Sequence, residues 1–217
     1  MIRTGTMAAS VSNGASARLA SLPAGTIQPL WVRLTHWLNV IAVLVLILSG
    51  WRIYNASPIF DFRFPNAITL GGWLGGALLW HFAAMWLLAV NGVVYLCVNL
   101  ATGRLRARFW PLSLRQIVSD LIAALRGRLG HEDLSHYNAV QKAAYLGAIA
   151  LLIVVVLSGL AVWKSVQLPL LRELMGGFDN ARVVHFFAMA GLVLFILVHV
   201  VMVALVPKTL RLMVVGR

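Results

Sequence analysis

Four histidines lie inside apolar stretches of the chain: His36 and His81 each in a separate one, and His185 and His199 together in a third. An imidazole is costly to leave against hydrocarbon, and one retained there typically ligates a metal, relays a proton or bonds to a buried partner. A helix advances about 1.5 Å and turns about 100° per residue, so the spacing from His185 to His199 separates them by about 21 Å in depth and about 40° in azimuth. Both rings leave the same face of one helix at two levels, and each level calls for a partner ring from elsewhere.

The elements that position these rings follow from composition. The chain has 217 residues, of which 61% are hydrophobic and 11% charged, outside the range of soluble domains and typical of an integral membrane protein. No stretch is left over for a soluble catalytic domain, so the chemistry belongs inside the membrane. The formal charge of +12 is not accompanied by any nucleic-acid module and matches the basic ends of membrane helices. The single cysteine, Cys97, excludes an intrachain disulfide, an iron–sulfur site and a covalent C-x-x-C-H haem attachment. A haem bound here is therefore b-type, held without covalent links.

The fold class expected is an all-α integral membrane bundle of four transmembrane helices, spanning about residues 30–53, 72–100, 140–163 and 182–206. These form one domain over 30–217, preceded by a flexible tail, 1–28, that lacks the apolar core of a signal peptide. Pro58, Pro65, Pro111, Pro169 and Pro207 fall between or just after the spans, where helix breakers belong. Arg52, Arg63, Lys164, Arg172 and Arg182 occupy one side, and the other thirteen basic residues occupy the opposite side. The positive-inside rule then places both termini and the long middle connection in the cytoplasm. Within that connection, from Leu112 to Leu129, Leu114, Ile117, Val118, Leu121, Leu125 and Leu129 recur at helical spacing after Pro111 and a Ser113-to-Gln116 capping box. This predicts an amphipathic helix on the cytoplasmic membrane surface.

Depth counting pairs the histidines. His36 lies six residues past Leu30 and His199 eight before Pro207, which puts both near the inner surface; His81 and His185 lie twenty-one before Thr102 and twenty-two before Pro207, which puts both near the outer surface. Two neutral imidazoles on opposite faces of an iron leave no open position, a coordination that favours electron transfer over oxygen binding. Gly50, fourteen residues after His36, sits on the same face at the outer level, where a missing side chain lets a porphyrin approach. Zinc is a poor fit, because the pairs are about 21 Å apart and lack carboxylate or thiolate companions. Helix-packing hydrogen bonds remain the alternative for any one of these histidines, and a haem-free transporter or proton channel the alternative for the set. His131 and His136, in the polar segment HEDLSHYN, read as solvent-facing.

The motifs R-L-T-H-W (Arg33–Trp37), L-S-G-W ending at Trp51, H-Y-N-A-V-Q-K-A-A-Y (His136–Tyr145), and Val184-His185 followed by His199 resemble those of bacterial cytochrome b561-type subunits. More narrowly, they resemble the cytochrome b subunits of respiratory formate dehydrogenases, nickel–iron hydrogenases and thiosulfate-reductase-like molybdoenzymes. The resemblance runs from about Trp31 to the C-terminus. It implies two haem b groups, ligated by His36 and His199 on the inner side and by His81 and His185 on the outer side. It also implies a quinone, as substrate, near Tyr137, Asn138, Gln141 and Lys142, residues whose other reading is a cap of the third helix at the membrane interface. Arg33 and Arg182 are candidates for the haem propionates or, equally, for interfacial anchors.

On this resemblance the chain is expected to be a subunit in the bacterial inner membrane. It would carry electrons between the quinone pool and a periplasmic redox partner, such as a molybdoenzyme, an iron–sulfur subunit or a cytochrome. The alternative is a stand-alone cytochrome b561-type enzyme passing electrons from a small donor such as superoxide to quinone. The basic outer residues serve either reading, steering an anion or docking an acidic protein.

Overall fold

The computed structural model describes residues 28–102, 114–125 and 139–216. Among them the regular elements are all helical: α1 (Leu30–Ala56), a 3-10 turn (Asn66–Ile68), α2 (Leu74–Ala101), α3 (Leu114–Leu125), α4 (Ala139–Trp163), α5 (Pro169–Leu174), α6 (Phe178–Leu205) and α7 (Lys208–Val214). Four of them, α1, α2, α4 from Val140 and α6, are long and apolar enough to cross a membrane. The chain is a multi-pass membrane protein.

Two helix ends differ from the sequence expectation, each for a local reason. α1 continues to Ala56 because its last turn is tied to the following loop: the Tyr54 hydroxyl meets the Phe60 backbone at 3.2 and 3.3 Å. Asn55 bonds both backbone groups of Phe64, at 2.8 and 2.9 Å. α6 begins at Phe178, before Arg182, because Gly176 and Gly177 take positive φ values of 80° and 95° and turn the chain sharply. Asp179 then stands in the first turn, where the helix dipole favours an acid. The connection after α4, expected as a loop, contains the short helix α5, with Pro169 at its start. α3 covers the centre of the expected amphipathic helix. Residues 1–27 of the tail, Pro111 to Ser113, residues 126–129, His131, His136, Tyr137 and Asn138 lie outside the described residues.

α1 packs on α2 and α4 packs on α6, each pair an antiparallel hairpin. The end that carries both hairpin connections, 57–73 and 164–177, is the loop end; the opposite one is the terminal end. Helices meet where side chains are small: Ala42, Ser49, Ala77 and Ala84 are buried in one hairpin, and Ala148, Ser158, Ala161, Ala181 and Ala188 in the other. In a bilayer, where lipid tails are as apolar as leucine, such close approach replaces the hydrophobic effect as the cohesive force. Asn91 adds an interhelical clamp in the first hairpin, donating to the Thr35 carbonyl at 2.8 Å and to Asn39 Oδ1 at 2.7 Å. Large apolar residues point outward instead; Leu79 is 74% exposed and Leu100 70% exposed, surfaces suited to lipid.

Within the described residues, close backbone packing is concentrated inside each hairpin, with little between them. The hairpins meet through side chains. At the loop end Tyr54 and Phe60 pack on Phe186, and Arg182 donates to the Ser57 carbonyl. Deeper in the bundle the meeting points are pairs of imidazoles.

Candidate functional site

The structure brings together the four intramembrane histidines as depth counting paired them. His36 of α1 faces His199 of α6 with ring centroids 6.3 Å apart, and His81 of α2 faces His185 of α6 at 6.5 Å. Each pair draws on both hairpins, and α6 supplies one ring to each. A metal–nitrogen bond of about 2 Å, plus about 1.1 Å from nitrogen to ring centre, sets two imidazoles trans on one metal ion about 6.3 Å apart. Both pairs match that spacing. Among the described residues no three His, Cys, Asp or Glu side chains gather into a cluster; a two-imidazole donor set suits axial ligation of a porphyrin, which supplies its own four equatorial nitrogens.

The loop-end pair is built twice from one pattern. Ser49 Oγ donates to the Val45 carbonyl at 2.6 Å and lies 3.0 Å from His81 Nδ1. Ser158 Oγ donates to the Val154 carbonyl at 2.7 Å and lies 3.1 Å from His185 Nδ1. With its hydrogen committed to a carbonyl, each hydroxyl accepts from the imidazole, so Nδ1 carries the proton and the Nε2 lone pair is free to ligate. The Val155 carbonyl, 3.0 Å from His185 Nδ1, reinforces the same tautomer. Beside each serine stands a glycine: a Cβ on Gly50 would lie 3.5 Å from His81 Cε1, and one on Gly159 would lie 3.1 Å from His185 Cε1. Buried alanines flank each ring by one turn, Ala77 and Ala84 around His81, Ala181 and Ala188 around His185.

Ser49, Ser158 and Gly159 were missed by the sequence reading. The signal was present as an internal repeat: Leu48-Ser49-Gly50 against Leu157-Ser158-Gly159, and an alanine four before and three after each of His81 and His185.

The terminal-end pair is held differently. His36 meets Trp37 edge-on at 5.5 Å, and His199 stacks on Phe195 at 5.8 Å. Among the described residues neither ring nitrogen is given a hydrogen-bond partner.

Of the other candidates, Gly50 lies against the His81 ring edge and gives that ring room. Arg33 Nη1 donates to the Val214 carbonyl at 2.6 Å, where a cation meets the C-terminus of α7; Trp37 Nε1 joins it on the Met213 carbonyl at 3.1 Å. Arg182 reaches Ser57 and Asp179. Both arginines thus act as anchors between elements. Gln141 and Lys142 occupy the first turn of α4 at the terminal end, about 25 Å below Ser158 and so near the level of His36 and His199. Tyr137 and Asn138 lie outside the described residues. Among the described residues two buried donors, Arg33 Nε and Trp51 Nε1, have no hydrogen-bond partner, a lack that typically costs about 1–3 kcal/mol each.

A four-helix membrane bundle that presents imidazoles in facing pairs has the architecture of a membrane electron carrier. The chain belongs to the prokaryotic cytochrome b561 family, which matches residues 27–216. Membership makes it a cytochrome b561-type electron-transfer protein and implies b-type haem. A protein of Azospira oryzae, bearing the provisional name protein-methionine-sulfoxide reductase subunit YedZ1, is 66% identical over 190 residues, covering 88% of this chain and 96% of the relative. No solved structure matches the chain.

Proposed function

We propose that the chain is a di-haem membrane subunit that carries electrons from the quinone pool to a methionine-sulfoxide-reducing enzyme on the outer side of the bacterial inner membrane. The observation that supports this most directly is the pair of imidazole pairs, 6.3 and 6.5 Å between centroids, set at two depths on the shared helix α6. His81 and His185 hold the outer haem at the loop end, and His36 and His199 hold the inner haem at the terminal end. A b haem held by each imidazole pair would supply one-electron exchange.

The chain's own residues do the rest. Ser49 and Ser158 keep the outer imidazoles in the ligating tautomer. The aromatic cluster of Tyr54, Phe60, Phe62, Phe64 and Phe186 roofs the loop end and keeps water from the outer pair. At the terminal end Gln141 and Lys142, with Tyr137 and Asn138, form the quinone site, where amides bond the quinone carbonyls and protons exchange with the cytoplasm. Both termini and α3, lying on the membrane surface, face the cytoplasm. That the partner reduces methionine sulfoxide is argued from the name of the Azospira relative, and that it is a periplasmic molybdoenzyme from the resemblance of the motifs: reducing a sulfoxide to a thioether and water takes two electrons and two protons, delivered as two single-electron transfers.

The test is a haem count with quinol reduction. Two b haems per purified chain, both reduced by a quinol, with a periplasmic sulfoxide reductase retained on mild extraction from the membrane, is the expected result. A folded chain without haem bands from a haem-supplied host would overturn the reading. A chain that oxidises two superoxide anions to O2 while reducing one quinone to quinol with two protons, and never retains a partner, would replace it with the stand-alone alternative.

A further inference from the structure

The indole N–H of Trp51 is buried and finds no acceptor among the described residues. Its ring cannot turn to look for one, because it lies face to face on Phe64 at 4.6 Å and 9°. Phe64 is itself fixed through both backbone groups by Asn55. Trp51 directly follows Gly50, whose open side meets the His81 ring, so it stands at the depth of the loop-end imidazole pair. Fifteen residues after His36, it lies about 60° around α1 from the face that carries His36, beside the seam between the hairpins.

The donor therefore awaits an acceptor that the described residues do not supply. The group that enters at this depth, on the reading given above, is a b haem, whose hydrogen-bond acceptors are its two propionate carboxylates. The arginines read from the sequence as propionate partners or interfacial anchors each hold a backbone carbonyl: Arg182 donates to Ser57 and Arg33 Nη1 to Val214. Arg33 Nε is also unpartnered, but it is covered by Gly216 of the C-terminal turn, on which a Cβ would lie 3.3 Å away.

We infer that Trp51 Nε1 donates a hydrogen bond to a propionate carboxylate of the loop-end haem and so positions that haem between His81 and His185. Trp51 is a positioning residue in this assignment, and the assignment rests on the two-haem reading. Arg52 and Arg63, which with Phe64 line a neighbouring cavity of about 450 Å³, add positive charge on the same side of the loop end.

The test combines Trp51→Phe, which keeps an aromatic ring on Phe64, with a change in the haem. Wild-type and W51F chains are loaded either with iron protoporphyrin or with its dimethyl ester, which lacks free carboxylates. The readouts are the midpoint potential of each haem and the rate of haem release to an acceptor globin. With the native haem, W51F is expected to release the loop-end haem about tenfold faster, the worth of one charge-assisted hydrogen bond. It should also shift that haem's potential to more negative values, because the carboxylate keeps more of its charge, and leave the other haem unchanged. With the ester, whose carbonyls accept only a neutral hydrogen bond, the difference between wild type and W51F should shrink clearly, the signature of an interaction with the charged carboxylate. Equal behaviour with the native haem overturns the inference, as does an equal difference with both haems, which would show that Trp51 acts through packing or through a lipid or water acceptor. A chain that takes up no haem at His81 and His185 overturns the two-haem reading as well.

Discussion

The loop-end and terminal-end histidine pairs have nearly the same ring separation, yet they are built in opposite ways. His81 and His185 each carry a serine on Nδ1, a glycine at the ring edge and alanines one turn away. His36 and His199 are instead bounded by aromatic faces, Trp37 and Phe195. The first pair is fixed in tautomer and orientation before anything binds; the second is confined by shape. Hydrogen bonding at Nδ1 also raises the basicity of the opposite nitrogen, which stabilises a ferric centre and lowers its potential. A preorganised loop-end site next to an adaptable terminal-end one is the contrast that the proposed function uses, with a fixed partner at one end and an exchanging quinone at the other.

The comparison breaks most visibly when the rings themselves are removed. Replacing either His81 or His185 by alanine should abolish the loop-end haem and retain the other, and His36→Ala or His199→Ala should do the reverse. Pyridine haemochrome assays should fall from two haems per chain to one in all four variants. Loss of both haems from any single change would deny that the pairs are separate sites.

A smaller effect distinguishes the two copies of the loop-end pattern. Gly159→Ala places a methyl 3.1 Å from His185 Cε1, whereas Gly50→Ala places one at 3.5 Å from His81 Cε1. The first must push the ring aside and the second makes an ordinary contact. Gly159→Ala should therefore lower loop-end haem occupancy and broaden its redox wave, with Gly50→Ala close to wild type. Equal behaviour would show that the backbone relaxes freely at both positions.

Ser49→Ala and Ser158→Ala sharpen the electronic part of the contrast. Each removes about 1 kcal/mol of preference for the ferric state, on the order of 40 mV in a one-electron couple, and should raise the loop-end potential in a redox titration. The terminal-end potential should stay constant. The two changes should have similar effects, since each imidazole keeps a backbone acceptor, the Leu46 carbonyl for His81 and the Val155 carbonyl for His185.

The smallest effect is structural. Asn91→Leu removes the clamp to Thr35 and Asn39, and such membrane hydrogen bonds are worth about 0.6 kcal/mol each. Thermal denaturation in detergent should shift down by a few degrees with both haems retained. A selective loss of the terminal-end haem would show that this clamp also sets the position of His36.

Much of this molecule was legible from residue order, because depth in a straight helix is a linear function of sequence position. That rule fixed four apolar helices, matched His36 with His199 and His81 with His185, and placed Gly50 at the loop-end level. The repeated Leu-Ser-Gly and the alanines around His81 and His185 were legible too, as internal symmetry, though only their contacts revealed what they do. The bounds of α1 and α6 slipped because hydrogen bonds from Tyr54 and Asn55 and two left-handed glycines, rather than hydropathy, set where those helices stop and start.

Azimuth between helices is what residue order could not give. Whether a serine within an apolar helix meets an imidazole on the neighbouring helix depends on how the two helices of a hairpin rotate against one another, and packing of small residues decides that rotation. The same holds for Arg33 and Arg182, whose charge fitted a haem carboxylate or an interfacial anchor equally and whose described contacts are the carbonyls of Val214 and Ser57. Trp51 carried no signal beyond its place after Gly50; only the folded chain, by burying its N–H without an acceptor, singled it out.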